Sequence, residues 1–570
     1  MNTQYHAGNE DLLRKLQVSN QFMSKPMPAQ VPGEVFFGHQ AGDSSVYVLS
    51  QKKLDMMAKL ALENYLRPHK AAFHLVGESD VERIKNRIST DKAEVSNTDA
   101  ESMFDELFDI AVNAGASDIH IFTYKDDPHI QLRINGELER VRLSEGMTHL
   151  GLKRLCMSIY QSKTGNTASS KNSYSPTKTQ SATVQEKISS CNKRNRLRYQ
   201  DAELDGDEDS IHVTMRLIDL DKNFTEMELT DLGYEKDQRD LIQDVMLKGG
   251  GGLFILVGAT GDGKTTTAAT ILGKLVKEHG GRKNIVTVED PVEFRIPGVR
   301  HTQVTAVDGE TTQEAWVRHL AAMMRRDPDY ILQGEMRTPD TAHSACEAAL
   351  TGHTTLVTLH GNSTFDAFSR LVELGVPLSL LGTSGFLKGI VYQRLMPVLC
   401  DKCSIKYAPD LAQRGMCSPG LMSRINIACS SLKHNLRFRN YEGCEHCRKG
   451  LKGRTACIEP LRMDHEVRKQ IAEGKIDSAR VEWLSKRGEG SVFDAEKTIS
   501  ENYPQHCVGF TAFDHAFKKM LMGMISPVDV EDKLEILTHN MIASDNQIIG
   551  EEVRMMTGST TEDSREWAQD

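Results

Sequence analysis

At 570 residues the chain is too long for a single hydrophobic core, so roughly two to four domains are expected. Hydrophobic residues at 39% and charged residues at 26% are the balance of an ordinary globular protein, and a net charge of −10 removes any global attraction to nucleic acid or anionic lipid. No stretch reaches the roughly 18 consecutive apolar residues that span a bilayer, the opening MNTQYHAGNEDLLRKL has no signal-peptide core, and eleven cysteines are too scattered for a disulfide scaffold; a cytoplasmic protein is expected.

Residues 1–100 carry the least information. Within them QKKLDMMAKLALENYL (51–66) has a helical stripe of Leu54, Met57, Ala58, Ala61 and Tyr65, read as structural. A second unit opens at Glu101 with a helix to about Ala114. Ile119 and Ile121, then Ile130, Leu132 and Ile134, alternate with polar residues, and Asn135-Gly136 is a two-residue hairpin signal. These features predict a small α+β domain over 101–235. Residues 161–210 interrupt it with a Ser/Thr-rich run, the basic KRNRLR and the acidic DAELDGDED; low apolar content predicts a long exposed loop rather than a nucleic-acid arm. Strand pattern returns at Ile211–Leu217, and a helix with a four-glycine linker follows to Gly252.

The apolar run Leu253–Val257 leads into GATGDGKT, the full GxxxxGK[ST] spacing, and a helix from Thr266 to His279 closes on Gly280 and Gly281. Gly258, Ala259, Thr260, Gly261, Asp262, Gly263, Lys264, Thr265 and Thr266 are therefore candidate nucleotide-binding residues. The glycines let backbone N–H groups turn toward phosphate oxygens at a helix N-terminus, Lys264 would reach the β- and γ-phosphates, and Thr265 would ligate Mg²⁺. Three further strands are predicted at Asn284–Val288, in Asp327–Glu335 and at Thr354–Leu359. They end respectively in Glu289-Asp290-Pro291-Val292-Glu293, in Glu335 and in His360. Alternation with helices predicts a doubly wound parallel sheet over 236–398, whose carboxyl ends gather ligands. Glu335 and one of Glu289, Asp290 or Glu293 are the acids available to support Mg²⁺ and the attacking water of an ATPase.

Cys400-Asp-Lys-Cys403 and Cys444-Glu-His-Cys447, about forty residues apart, suit one tetrahedral four-cysteine Zn²⁺ site in a subdomain over 399–460, with Cys417, Cys429 and Cys457 as rival ligands. Helical patterns at His465–Ala472 and Ala512–Met522 predict a helical C-terminal element over 461–537, before a polar tail at 538–570.

From about 101 to 535 the chain resembles the secretion ATPase superfamily that powers type II secretion and type IV pilus assembly. The resemblance rests on four segments in order: GATGDGKT, VTVEDPVEF, DPDYILQGEMR and TGHTTLVTLH. ASDIHI, RING and the paired cysteines add to it. It implies a RecA-like P-loop core preceded by a PAS-like α+β domain, with Glu293 activating the water, Glu335 serving magnesium, and His353 and His360 sensing the nucleotide. It also implies that Arg133 and Arg216 from the preceding domain, and Arg318 and Arg325 from the core, reach the phosphates. Such relatives are ATP-hydrolysing hexamers, peripheral at the inner membrane through a platform protein. The tetracysteine pair favours assembly or secretion over a retraction motor, while the acidic balance and lack of a basic-aromatic stripe disfavour a nucleic-acid translocase. Three positions depart from the pattern: Gln333 where an apolar residue is usual, Thr338 where an aspartate follows GEMR, and Ala321 in place of an arginine.

Overall fold

The computed structural model describes residues 4–6, 16–18, 35–40, 46–50, 56–66, 73–76, 97–144, 146–163, 179–204, 210–246, 250–486 and 508–537. The predicted polar tail at 538–570 and part of the predicted loop, 164–178, lie outside them. The first hundred residues contribute β1 (Gln4–His6), β2 (Leu16–Val18), β3 (Val35–Gln40), β4 (Val46–Ser50) and β5 (Phe73–Val76) in the order β1-β5-β4-β3-β2. Helix α1 (Met56–Leu66) is the one the stripe predicts, but it buries Ala58 and Leu62 and leaves Met57 exposed.

The second unit is a six-stranded antiparallel sheet ordered β8-β7-β6-β11-β10-β9, covered on one face by α2 (Asn97–Asn113) and α3 (His149–Lys163). Its strands are β6 (Asp118–Phe122), β7 (His129–Ile134), β8 (Glu137–Val141), β9 (Ser181–Ile188), β10 (Arg194–Glu203) and β11 (Ile211–Asp219). Asn135 and Gly136 turn β7 into β8 with φ of 52° and 94°, the left-handed pair that such a hairpin requires. Phe104, Leu107, Phe108 and Leu155 pack on Ile119, Ile121, Leu132 and Val213. Strand alternation therefore sends Asp118, His120, Arg133, Thr214 and Arg216 to the opposite face.

The expected exposed loop at 161–210 is corrected over its described second half. Residues 181–203 form the β9–β10 hairpin, which extends the sheet and buries Ala182, Val184, Leu197 and Tyr199. Its period-two pattern is masked in composition because Arg194, Arg196 and Arg198 occupy the outward positions between the buried ones.

The largest unit is a seven-stranded sheet ordered β14-β13-β15-β16-β12-β17-β20. Its strands are β12 (Gly252–Val257), β13 (Ile285–Glu289), β14 (Val299–Gln303), β15 (Tyr330–Gln333), β16 (Thr354–Leu359), β17 (Leu387–Leu399) and β20 (Leu451–Arg462). Every residue of β12, β13, β15 and β16 is buried, as expected of strands covered on both faces. Helices α4 (Lys236–Met246) and α5 (Lys264–His279) pack with Phe254 and Leu256 on one side. On the other, α6 (Thr312–Met324) and α7 (Pro339–Leu350) line up in sequence, α7 joining a core that contains Leu253, Ile255 and Val257.

Two expectations about this unit change. The sheet is not wholly parallel, because β20 runs antiparallel to β17 along its full length. The cut at 398/399 falls inside β17, and the seven-stranded sheet continues to Arg462, so the paired cysteines sit in an insertion between two of its strands. That insertion holds β18 (Ile405–Lys406), β19 (Arg437–Phe438) and a helix, Pro419–Cys429. Beyond β20, the helices His465–Ala472, Ile476–Ser485, Ala512–Leu521 and Pro527–Lys533 pack back onto this body. Trp483 enters the core that contains Leu253, Ile255 and Val257, and Phe513, Phe517 and Met520 pack with Phe438 and Met396. Among the described residues no helix is long and apolar enough to cross a membrane.

Candidate active site

Strand β12 delivers the chain to a loop that reverses around Gly261 and Gly263, with φ of 86° and 82°, values that a side chain would strain. Gly263 is the N-cap of α5 and offers no side-chain acceptor, so the first-turn N–H groups of the helix stay open for an anion. Lys264 is buried and its Nζ donates to the carbonyls of Gly258 and Ala259, 2.7 and 3.0 Å away. Burial lowers the pKa of this amine, while Glu335 and Asp262 hold it up.

Asp262 does a different job from its neighbours. Its carboxylate accepts from Ala259 N–H at 2.9 Å and from Leu395 N–H at 3.2 Å, and it faces Arg394 at 3.4 Å. These bonds brace the loop on β17, while the Gln393 amide donates to the Asp262 carbonyl and Tyr234 donates to Gln393.

Above the loop lies a cleft of about 830 Å³ whose walls come from both units. Ala259 to Thr266 line its floor, and Gly258, just before them, gives its carbonyl to Lys264 Nζ. Glu335 follows β15 into the cleft, where it accepts from His360 Nε2 at 2.9 Å and pairs with Arg337 at 2.6 Å. Burial, then Lys264, lowers the pKa of His360, with Glu335 opposing.

The three acids at the end of β13 and just beyond it separate in role. Glu289 is buried and accepts from Thr287 Oγ1 at 2.6 Å and from His301 Nδ1 at 3.0 Å. His301 Nε2 accepts from Ile296 N–H, so its proton is on Nδ1, facing the carboxylate. Glu289 thus reaches the cleft wall with its carboxylate committed to these partners, and Asp290 and Glu293 line the cleft beside it.

The opposite wall is the open face of the six-stranded sheet. Arg133 and Arg216 both line the cleft. Arg216 is held by Asp118 at 3.0 Å, and Arg133 donates to the Gly136 carbonyl at 2.9 Å. Arg196 spans the gap to donate to the Val292 carbonyl at 2.9 Å, fixing this sheet over the segment that carries Glu293.

Several cleft residues were not legible beforehand: His120, Arg198, Arg394, Arg454 and Lys533. Arg198 lies opposite Arg216 in register, so correct strand pairing of β10 would have found it. Three expected residues are placed elsewhere. Arg318 turns to Glu310 at 2.8 Å and to the Thr305 carbonyl, Arg325 ends α6, and neither lines the cleft. His353 precedes β16 at the end remote from His360 and bonds Thr351 and the Ala348 carbonyl.

The four cysteines do converge. Sγ separations are 3.8 Å for Cys400–Cys444, 3.5 Å for Cys403–Cys447 and 3.6 Å for Cys444–Cys447, and all four lie within 4.8 Å of one another. Four sulfurs about 2.3 Å from one tetrahedral ion stand about 3.8 Å apart, so the set fits a metal. Cys444 N–H also points at Cys447 Sγ, 3.3 Å away, as a backbone donor supporting a thiolate. The rivals are out of reach: Cys429 and Cys457 are buried in an apolar cluster with Phe438, and Cys417 packs against it.

Residues 93–506 match the family described as "Type II/IV secretion system protein". The type IV pilus assembly ATPase PilB of Thermus thermophilus is 36% identical over 278 residues, which are 48% of this chain and 29% of that protein. Type II secretion system protein E of Pectobacterium carotovorum is 37% identical over 273 residues, 47% of this chain and 50% of that one. The chain thus spans half or less of the length of these two relatives. The Klebsiella pneumoniae protein of the same name is 31% identical over 382 residues, 66% of this chain and 68% of its own. With a family match that runs through both walls of the cleft and the cysteine insertion, the chain belongs to the type II/IV secretion system protein family.

Proposed function

We propose that this chain is an ATPase that drives assembly of a type IV pilus or a type II secretion pseudopilus. The observation that carries the reading is the cleft itself. A phosphate loop with open helical N–H groups and Lys264 lies beneath Glu335, Glu293 and His360, with Arg133 and Arg216 on the facing wall.

In this reading Lys264 leaves its loop carbonyls for the β- and γ-phosphates, and Glu293 orients and deprotonates the attacking water. Thr265 and Glu335 offer the oxygen donors that suit magnesium, which would neutralise phosphate charge. His360, joined to Glu335, places a neutral imidazole beside the terminal phosphate. Arg133 and Arg216 offset charge from above, and their approach would couple hydrolysis to movement of one unit against the other. The seven-stranded unit then corresponds to a RecA-like motor and the six-stranded unit to the PAS-like domain before it. Cys400, Cys403, Cys444 and Cys447 would hold zinc. A homo-hexamer, an inner-membrane platform protein as partner and a peripheral position at that membrane complete the proposal, as the resemblance to the secretion ATPase superfamily implies.

The test is phosphate release by purified wild type, Lys264→Ala and Glu293→Gln, with oligomer mass recorded and single-stranded DNA added in parallel. Magnesium-dependent turnover lost in both variants and indifferent to DNA is expected. Turnover raised by DNA would replace the reading with a nucleic-acid translocase.

A further inference from the structure

The cysteine insertion touches the six-stranded unit at a place that bears on the cleft. Arg439 follows β19 and is 6% exposed, although its side chain is charged. Both Nη atoms donate to Glu137, Nη2 to Oε2 at 2.9 Å, while Nε donates to the Lys449 carbonyl at 2.8 Å. One guanidinium therefore joins the two ends of the loop that carries Cys444 and Cys447 to strand β8 of the other unit. Arg448 at 3.1 Å and Lys449 at 3.5 Å both reach Glu139, two residues further along the same strand. An exposed ion pair between single atoms would carry little energy; here the guanidinium is buried and grips the half-exposed Glu137 carboxylate through two parallel bonds, the stronger, geometrically defined kind of pair.

The loop can hold this position only if its neck is fixed. Gly450 packs so closely that a Cβ there would meet the Asn440 carbonyl oxygen at 2.3 Å, and its own carbonyl accepts from Cys400 N–H at 2.8 Å. Drawing Cys444 and Cys447 against Cys400 and Cys403 fixes that neck from the other side. On β8, Glu137 pairs in register with Ile134, directly across the Asn135-Gly136 turn. That turn lines the cleft, and the Gly136 carbonyl holds Arg133.

We infer that Arg439 is a positioning residue: with the cysteine cluster metal-loaded, it fixes Glu137 and so sets the β7–β8 hairpin and Arg133 over the phosphate loop. Metal occupancy, or the thiol state of the cluster, therefore tunes nucleotide affinity from outside the cleft. The inference rests on the nucleotide reading of the cleft. It assigns the cluster a regulatory role in addition to closing its own insertion.

The test uses the full chain and a fluorescent ATP analogue, with bound metal measured on each sample. Arg439→Glu and Glu137→Arg should each weaken binding by about tenfold, within the range usual for coupling between sites, while retaining metal. The reciprocal double variant should recover most of the loss. Glu137→Gln is a milder form that keeps the test usable if a charge reversal fails to fold. Removing metal from the wild type should weaken binding to a similar degree, and should add little in Arg439→Glu. Equal affinities across these metal-loaded proteins, or a loss that the double variant does not recover, would overturn the inference while leaving the nucleotide reading intact. A wild type that does not bind the analogue would overturn both.

Discussion

Two walls face each other across the cleft, and they are assembled by different rules. On the wall of the seven-stranded unit each proposed site residue sits at or just beyond the end of a buried strand, in a short contiguous segment: Lys264 after β12, Glu293 after β13, Glu335 after β15 and His360 after β16. On the facing wall Arg133, Arg198 and Arg216 come from three strands, and only register brings them together. A parallel sheet fixes its site by topology, whereas an antiparallel sheet fixes it by pairing.

The largest effect belongs to the wall of the seven-stranded unit. Replacing Lys264 with Ala should lower phosphate release by about 10²–10³-fold, as removal of one preorganised charge-stabilising donor commonly does. Nucleotide-free stability should change little by comparison, because Nζ bonds only carbonyls of its own loop. A variant that unfolds instead of losing turnover would make this lysine a structural group.

The facing wall should break through packing. Leu197 is fully buried on β10, so Leu197→Ala should cost about 2–5 kcal/mol in chemical denaturation of the six-stranded unit. In an exposed loop the same change would cost less than about 0.5 kcal/mol, so the experiment separates the hairpin from the loop that composition suggested. Arg216→Ala sharpens the comparison further. It should raise the KM for ATP by about tenfold, the value of one charge-assisted contact, with a smaller change in kcat. A fall in kcat of the Lys264→Ala size would erase the distinction between the walls.

The difference explains what was legible. The phosphate loop and the hairpin at Asn135-Gly136 were readable because their backbone demands are local. The cysteine pairs were readable because two knuckles supply all four sulfurs. His353 stands apart from the cleft because the histidine segment runs the whole length of β16. A strand rises about 3.3 Å per residue, so the two ends of β16 lie about 17 Å apart, and of the two histidines only His360 lines the cleft. Arg318 stands outside the cleft because a nearby carboxylate, Glu310, captures it.

Two departures from the family pattern acquire reasons. Gln333 is buried and donates to the Thr341 carbonyl at 3.0 Å, tying β15 to the start of α7. Thr338 is the N-cap of α7, accepting from Thr341 N–H, a role that an aspartate also fills. The β9–β10 hairpin stayed hidden because its outward arginines made a paired strand look like a solvated charge run.

The smallest expected effect again separates the walls, through histidines on the facing sheet. His120 Nδ1 and His212 Nε2 stand 3.1 Å apart, so the gap between the rings holds one proton, not two. Burial lowers both pKa values, with Arg133 adding to the shift at His120; His120 and His129 help bring His212 to about 4. Asp118 opposes at His120 only. The unfolded chain takes up a proton near pH 6.5, which folded His212 accepts only near pH 4. The stabilising contribution is therefore complete above pH 6.5 and falls as pH drops toward 4. Half burial and solvent screening reduce the loss to about 1 kcal/mol. Denaturation at about pH 7 and about pH 4.5 should register that loss in the wild type and a smaller one in His212→Gln. An equal loss in both would place the pH sensitivity of this wall in other groups, and its histidine pair would then be packing alone.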